Sequence, residues 1–243
     1  VGGTANCSTT ATPSSPVGSY PISCTAGNLS STKYSFSSFP AGTLIITQAP
    51  SVTTVSCPSG VIYTASAQTP CTASVAGAGG LSQPLTVSYT SNIAVGTAHA
   101  SASFAGDANH TGNSASEGFF IIYRWDGYLQ PINDTAHQIG LDVSVFKAGS
   151  TVPAKLQLKA ADGTVVQSAT LPVWLAPVDL GLMSSSIDEL VYSDPASSGN
   201  TFKWDGTQYQ YNWSTKGSTP GHWYRISAKF DDGTTRSVVI GLK

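Results

Sequence analysis

Charge is scarce in this 243-residue chain. Lys and Arg number 11 and Asp and Glu 13, so that charged residues are 10% of the total, against a usual quarter. No run of Lys or Arg occurs, the net charge is −2 and the pI is about 6.0. Nucleic acid and anionic membrane surfaces are therefore not expected as partners. No apolar run approaches the ~20 residues that span a bilayer, so no membrane span is expected. Glu, Lys and Arg are the usual helix formers, and their scarcity argues against a helical fold. No CxxC pair, no GxSxG elbow and no His-x-x-Glu-His stretch occurs, which removes the common zinc and hydrolase signatures. No signal peptide is visible; Val1 opens directly into Gly/Thr-rich sequence, and the chain reads as a processed product or a fragment.

What is abundant is strand and turn material. The chain holds 24 Gly and 14 Pro, with Ser and Thr supplying most of the polarity. The organising stretch runs from Val52 to Tyr123. Leu85, Val87 and Tyr89 alternate with Thr86 and Ser88; Ala98, Ala100, Ala102 and Phe104 alternate with His99, Ser101 and Ser103. Period-2 alternation predicts half-buried antiparallel strands. Asn92–Gly96 and Gly106-Asp107-Ala108-Asn109 read as turns, and Phe119–Tyr123 as an apolar closing strand. Near the N-terminus Tyr20 and Ile22 mark one strand, Lys33 to Phe36 begins another, and Gly42–Thr47 is a strong closing strand. Asp162-Gly163, Asp205-Gly206 and Asp232-Gly233 are hairpin signals. Tyr209, Tyr211 and Trp213 alternate on one strand; Trp223, Arg225 and Ser227 alternate with Tyr224, Ile226 and Ala228 on another. Residues 236–242 close the chain as a strand. The fold class is all-β, a series of β-sandwiches.

The four cysteines are Cys7, Cys24, Cys57 and Cys71. Nearest-neighbour pairing joins 7 with 24 and 57 with 71, though three connectivities are open. Loops of this length are worth about 3 kcal/mol each in the chain-entropy model. Disulfides in small β-modules point to an oxidising, secreted or cell-surface location. Four buried free thiols are the alternative.

Candidate chemistry is sparse. The histidines are His99, His110, His137 and His222, and serine is plentiful, but nothing marks a nucleophile. No catalytic residue, metal ligand or cofactor is assigned. Asp188-Glu189 and Asp231-Asp232 are adjacent pairs, and neighbours on a strand face opposite ways, which does not suit a glycosidase pair. Asp107, Asn109 and Asn113 offer oxygens for calcium, but the turn reading, with Asp and Asn accepting backbone N–H groups, is preferred. All five Trp lie after residue 123. Trp125, Trp174 and Trp223 are expected in the core; Trp204 and Trp213 are the candidates for a carbohydrate platform. Asn-x-Ser/Thr triplets at Asn6, Asn28, Asn109, Asn133 and Asn212 arise readily by chance in such a composition.

Three resemblances to bacterial surface modules follow. Residues 4–48, through VGSYPI, the LSSTKYSF stretch and GTLIIT, resemble the C-terminal half of an MBG-type Ig-like domain whose first strands are missing. Residues 51–123, through VSC, QTPCTASVAGAGGL and FAGDANHTG, resemble an Ig-like repeat of surface proteins; Ala65 stands where the repeat usually has Gly. This resemblance implies the Cys57–Cys71 bridge. Residues 126–243 are similar to the PxKF domain, with Pro153-Ala154-Lys155-Leu156 for Pro-x-Lys-Phe; Leu156 keeps the apolar core position. The implied organisation is tandem immunoglobulin-like β-sandwiches: 1–48 partial, 49–123 and 124–243. The implied role is a bacterial stalk or a repeating subunit of a cell-surface filament. Copies of the chain, or neighbouring modules, would be its partners, completed strand by strand through the open first module. An adhesin or glycan-binding array, and spacer modules of a larger secreted enzyme, are the alternatives.

Overall fold

The computed structural model describes residues 1–134, 144–183 and 191–243. About half of the chain is strand and almost none is helix. Among the described residues there are twenty strands and one three-residue 3-10 turn, Ala78–Gly80. The chain forms two compact units. One holds residues 1–57, 71–88 and 100–117; the other holds 58–70, 89–99 and 118–243.

The first unit begins with a three-stranded antiparallel sheet of β1 (Asn6–Thr9), β2 (Gly18–Thr25) and β3 (Gly42–Ile46), with β2 in the middle. A second sheet has β4 (Ser51–Ser56), β6 (Thr72–Gly77) and β7 (Ser82–Pro84) in that order, following β5 (Gly60–Ile62) in the chain. Ser51, Thr53 and Val55 of β4 point inward, as do Ala73 and Val75 of β6. β8 (Ser88–Thr90), β9 (Gly96–Gly106) and β10 (Thr111–Ile122) belong to a four-stranded sheet of order β5-β10-β9-β8. On β9 the alternation is strict: Ala98, Ala100, Ala102 and Phe104 are buried and every residue between them is exposed. The stretch Leu85–Tyr89 keeps its alternating cover but not a continuous ladder: β7 ends at Pro84, Leu85 N–H still donates to the Ala73 carbonyl at 2.9 Å, and strand pairing resumes at Ser88.

The second unit contains a β-sandwich of two four-stranded sheets. One has the order β11 (Tyr128–Leu129), β13 (Thr151–Leu156), β18 (Tyr209–Ser214), β17 (Lys203–Trp204); the other has β12 (Val145–Phe146), β20 (Thr235–Leu242), β19 (His222–Lys229), β16 (Val173–Leu182). A small hairpin of β14 (Leu158–Lys159) and β15 (Val165–Val166) completes the set. Both sheets feed one core: Val152, Ala154, Leu156, Tyr209, Tyr211 and Trp213 from the first, Phe146, Trp174, Tyr224, Ile226, Ile240 and Leu242 from the second. Trp174 lies at the centre of the aromatic packing. It stacks on Tyr211 at 4.6 Å and tilts against Phe202 and Trp213 at 6.1 Å. Such contacts add about 0.5–1.5 kcal/mol each beyond burial.

Pro153 sits inside a paired strand, where a missing N–H is normally costly. Here it costs little. Its partner Asn212 turns both backbone groups away, donating to Ser197 Oγ and accepting from Ser197 N–H, each at 2.9 Å. On the other side β11 reaches only Lys155 and Leu156. Leu156 is fully buried, as the apolar position required.

The three Asp-Gly hairpins share one device. In each, the Asp Oδ1 accepts the N–H of the Thr two residues on, at 2.8–2.9 Å: Thr164, Thr207 and Thr234. The Gly between them has φ of +85° to +103°, a region that L side chains avoid. Asp205 also accepts from Gln208 N–H and Thr207 Oγ1. Asp232 is buried and adds a bond from Tyr123 N–H at 2.9 Å.

Two expectations change. Lys33 to Phe36 is not a strand: residues 33–41 carry no ladder, since β3 is the last strand on that side of the sheet. Trp223 is not a core residue. The inward face of β19 is Tyr224, Ile226 and Ala228, so Trp223 shares the half-covered outer face with Arg225 and Ser227. It lies across Gly241, where an added Cβ would come within 3.0 Å of its ring.

Ile226→Ala empties a fully buried site between the sheets, and chemical denaturation is expected to register a loss of about 2–5 kcal/mol. The Asp205 carboxyl is held down to about 2, first by the Thr207 N–H. Its folded value lies below its unfolded one, so its support is complete above about pH 4 and is lost as pH falls toward 2. Asp205→Asn is expected to flatten the acid limb of the thermal stability profile in that window, leaving the profile above it parallel to wild type.

Candidate functional site

Among the described residues, the β1–β2–β3 sheet differs from the other sheets in its burial. No residue before Ser51 is buried. The sequence nevertheless gives this sheet an apolar face. Tyr20 is registered with Leu44 and Gly18 with Ile46, so Tyr20, Ile22, Leu44 and Ile46 share one side. Leu44 is 38% exposed and Ile45, on the opposite side, 68%. Among the described residues, the outer edges of β1 and β3 have no neighbouring strand. Residues 31–41, which follow the sheet's middle strand, expose Tyr34 to 70% and leave Phe36 and Phe39 half-covered.

Local bonds hold this sheet in place of a core. The Cys7–Cys24 bridge joins residues directly opposite each other on β1 and β2, and Cys57–Cys71 closes the next loop; no cysteine is free. Gly2 and Ser30 exchange backbone hydrogen bonds at 2.9 Å, and Asn28 Oδ1 accepts from Thr4 N–H at 2.7 Å. Tyr20 spends its hydroxyl on the Pro16 carbonyl.

The aromatic candidates separate. Trp213 is 9% exposed and packs against Trp174 and Tyr224, which makes it a core side chain. Trp204 is half-covered. One part of its ring meets Tyr209 at 4.6 Å, and it lines a groove of about 360 Å³ with Pro195, Ser197, Lys203, Asp205, Gln210 and Asn212. Trp125 packs at the core margin against Tyr128 and Phe230.

The polar candidates do not converge on a reaction centre. His99 is exposed on the outer face of β9. His222 Nδ1 meets Asp179 at 2.8 Å and Tyr224 donates to the same carboxylate at 3.2 Å, but no serine hydroxyl joins them among the described residues. Asp179 is held low, first by the Gly181 N–H and then by His222. Asp231 accepts from Thr170 while Asp232 serves Tyr123 and Thr234, so the adjacent pair faces two ways. His137 and the Asp188-Glu189 pair lie outside the described residues. The calcium alternative at Asp107 lacks its ligands: Asp107 Oδ1 accepts from Asn109 and His110 N–H, and Asn113 Oδ1 accepts from Thr53 N–H. Among the described residues no group of three or more His, Cys, Asp or Glu is placed to hold a metal, and no helix is long and apolar enough to cross a membrane.

Sequence reasoning missed His110. Its ring bonds Asp107 on one side and the Ala78 carbonyl on the other. The nearby Asp at i−3 was a visible signal; the partner 32 residues away was not.

No protein-family model matches the sequence, and no curated protein matches it.

Reduction of Cys7–Cys24 is expected to cost the first sheet about 3 kcal/mol, which it has no core to absorb. Limited proteolysis under reducing conditions is expected to cut within residues 1–50 first, while the fragment carrying β16–β20 stays intact.

Proposed function

We propose that the chain is an extracellular structural protein, a stalk or the repeating subunit of a cell-surface filament built from immunoglobulin-like modules. The uncovered first sheet is completed by a strand from a neighbouring copy. One observation carries this reading: a disulfide-stapled sheet with an apolar face has no buried residue and, among the described residues, two open edges. An open edge is a template for an incoming strand. A contact between two different surfaces of identical chains is heterologous and extends into a filament unless the rotation closes it. Two disulfides fit assembly in an oxidising place outside the cell. The bonded carboxylates and aromatic core supply the stiffness that a stalk requires.

Negative-stain microscopy of the concentrated protein is expected to show filaments or end-to-end rods. Ile45→Lys, which sets a charge on the β3 edge without touching any buried residue, is expected to leave single particles of unchanged fold. Monodisperse wild-type monomers at every concentration would contradict the proposal.

A second reading, a glycan-binding module, is favoured by the Trp204 groove, where an indole is flanked by the Gln210 and Asn212 amides and by Lys203 and Asp205. Were it correct, a glycan array would give a ligand whose affinity falls about tenfold on Trp204→Ala, the loss of one stacking contact.

A further inference from the structure

The turn between β9 and β10 gathers bonds from distant parts of the first unit. Gln48 Nε2 donates to the Asp107 carbonyl at 2.7 Å. Ala49 N–H donates to the Asn109 carbonyl at 2.8 Å, and Thr111 N–H returns a bond to the Ala49 carbonyl at 2.9 Å. Val17 N–H donates to Asn109 Oδ1 at 3.2 Å. The stretch that leads out of β3 is thus held on this one turn.

His110 closes the arrangement. Its side chain is only 11% exposed. Nε2 is 2.8 Å from the Ala78 carbonyl, and Nδ1 is 2.9 and 3.0 Å from the two Asp107 oxygens. A carbonyl oxygen carries no hydrogen, so Nε2 must donate. Asp107 is kept ionised, first by the Asn109 N–H and then by His110, so Nδ1 must donate as well. A neutral imidazole has one N–H and can satisfy only one of these acceptors; the imidazolium satisfies both.

We propose that Asp107, His110 and the Ala78 carbonyl form a proton-dependent clasp, which holds the β6–β7 connection at Ala78 against the β9–β10 turn when His110 is charged and releases it when His110 is neutral. The groups packed round the ring come from the turn, from residues 77–81, and from the groove walls at residues 13–17 and 46–49. Of these, Asp107 alone is charged or titratable. No competing cation or second acid faces the ring from any of those elements.

The sign follows from the bonds. The His110 pKa is raised, first by the Ala78 carbonyl and then by Asp107. A raised folded value means that the clasp is fully present below the unfolded pKa and is lost as pH rises through the folded one. The joint is firm at pH below the ordinary ~6.5 and loosens as pH rises through the raised folded value. Gly77 fits this role, since an added Cβ there would press on the His110 ring at 3.0 Å.

The test is ¹⁵N NMR of the His110 ring across about pH 5 to 9, with amide exchange at Gly77 and Leu81, whose bonds close the β6–β7 connection, corrected for intrinsic base catalysis. Both ring nitrogens are expected to be protonated at the acidic end of this range, with a midpoint above the ordinary ~6.5. Opening at Gly77 and Leu81 is expected to rise through that same midpoint. Asp107→Asn is expected to lower the midpoint, and His110→Gln to make the opening independent of pH. A His110 midpoint at or below the ordinary value, or wild-type opening that does not follow it, would overturn the proposal.

Discussion

A β-sheet hides its apolar face only against a second layer, and this chain meets that requirement unequally along its length. In the second unit two four-stranded sheets share a core in which Tyr128, Leu156, Tyr209, Ile226 and Ile240 are wholly removed from water. In the first sheet Tyr20, Ile22, Leu44 and Ile46 share a face and none reaches burial. Each such side chain forgoes part of the roughly 1.5–3 kcal/mol that full burial gives. What holds the first sheet is a cross-strand disulfide and a few backbone bonds. The functional reading follows from that deficit.

The chain uses few charges, and most of those with a resolved role are fixed to backbone donors. Asp107, Asp162, Asp179 and Asp205 are each held below the usual carboxylate range, with a backbone N–H as the leading cause. Asp126 is the exception, held low chiefly by Lys159. These carboxylates shape turns; they do not converge on a substrate-sized space. His110 is a titrating group that joins the β9–β10 turn to the β6–β7 connection, and its chemistry is that of a joint.

Much of the architecture is legible in the sequence. The alternation from Ala98 to Phe104 gave both the strand and its inward face, because alanine and phenylalanine there leave only one side to bury. The Asp-Gly pairs marked three hairpins, since glycine's positive φ and the aspartate acceptor are local requirements. The near-neighbour cysteine pairing also held. Other features depend on partners that a linear reading does not supply. Lys33–Phe36 has strand composition but no neighbouring strand, so it makes no ladder. On β19 the alternation defined two faces without saying which was inner, and Trp223 fell on the outer one. Trp204 and Trp213 were alike in sequence; only the arrival of Trp174 and Tyr224 beside Trp213 separates them.

The account rests on the first sheet being incomplete in the isolated chain and completed by another copy. Native-state hydrogen exchange at two protein concentrations addresses this most directly. At high dilution the amides of β1, β2 and β3 are expected to exchange far faster than those of β19 and β20, and at high concentration the protection of the β1 and β3 edges is expected to rise while β19 and β20 stay unchanged. Full protection of the first sheet at high dilution, with no dependence on concentration, would contradict it.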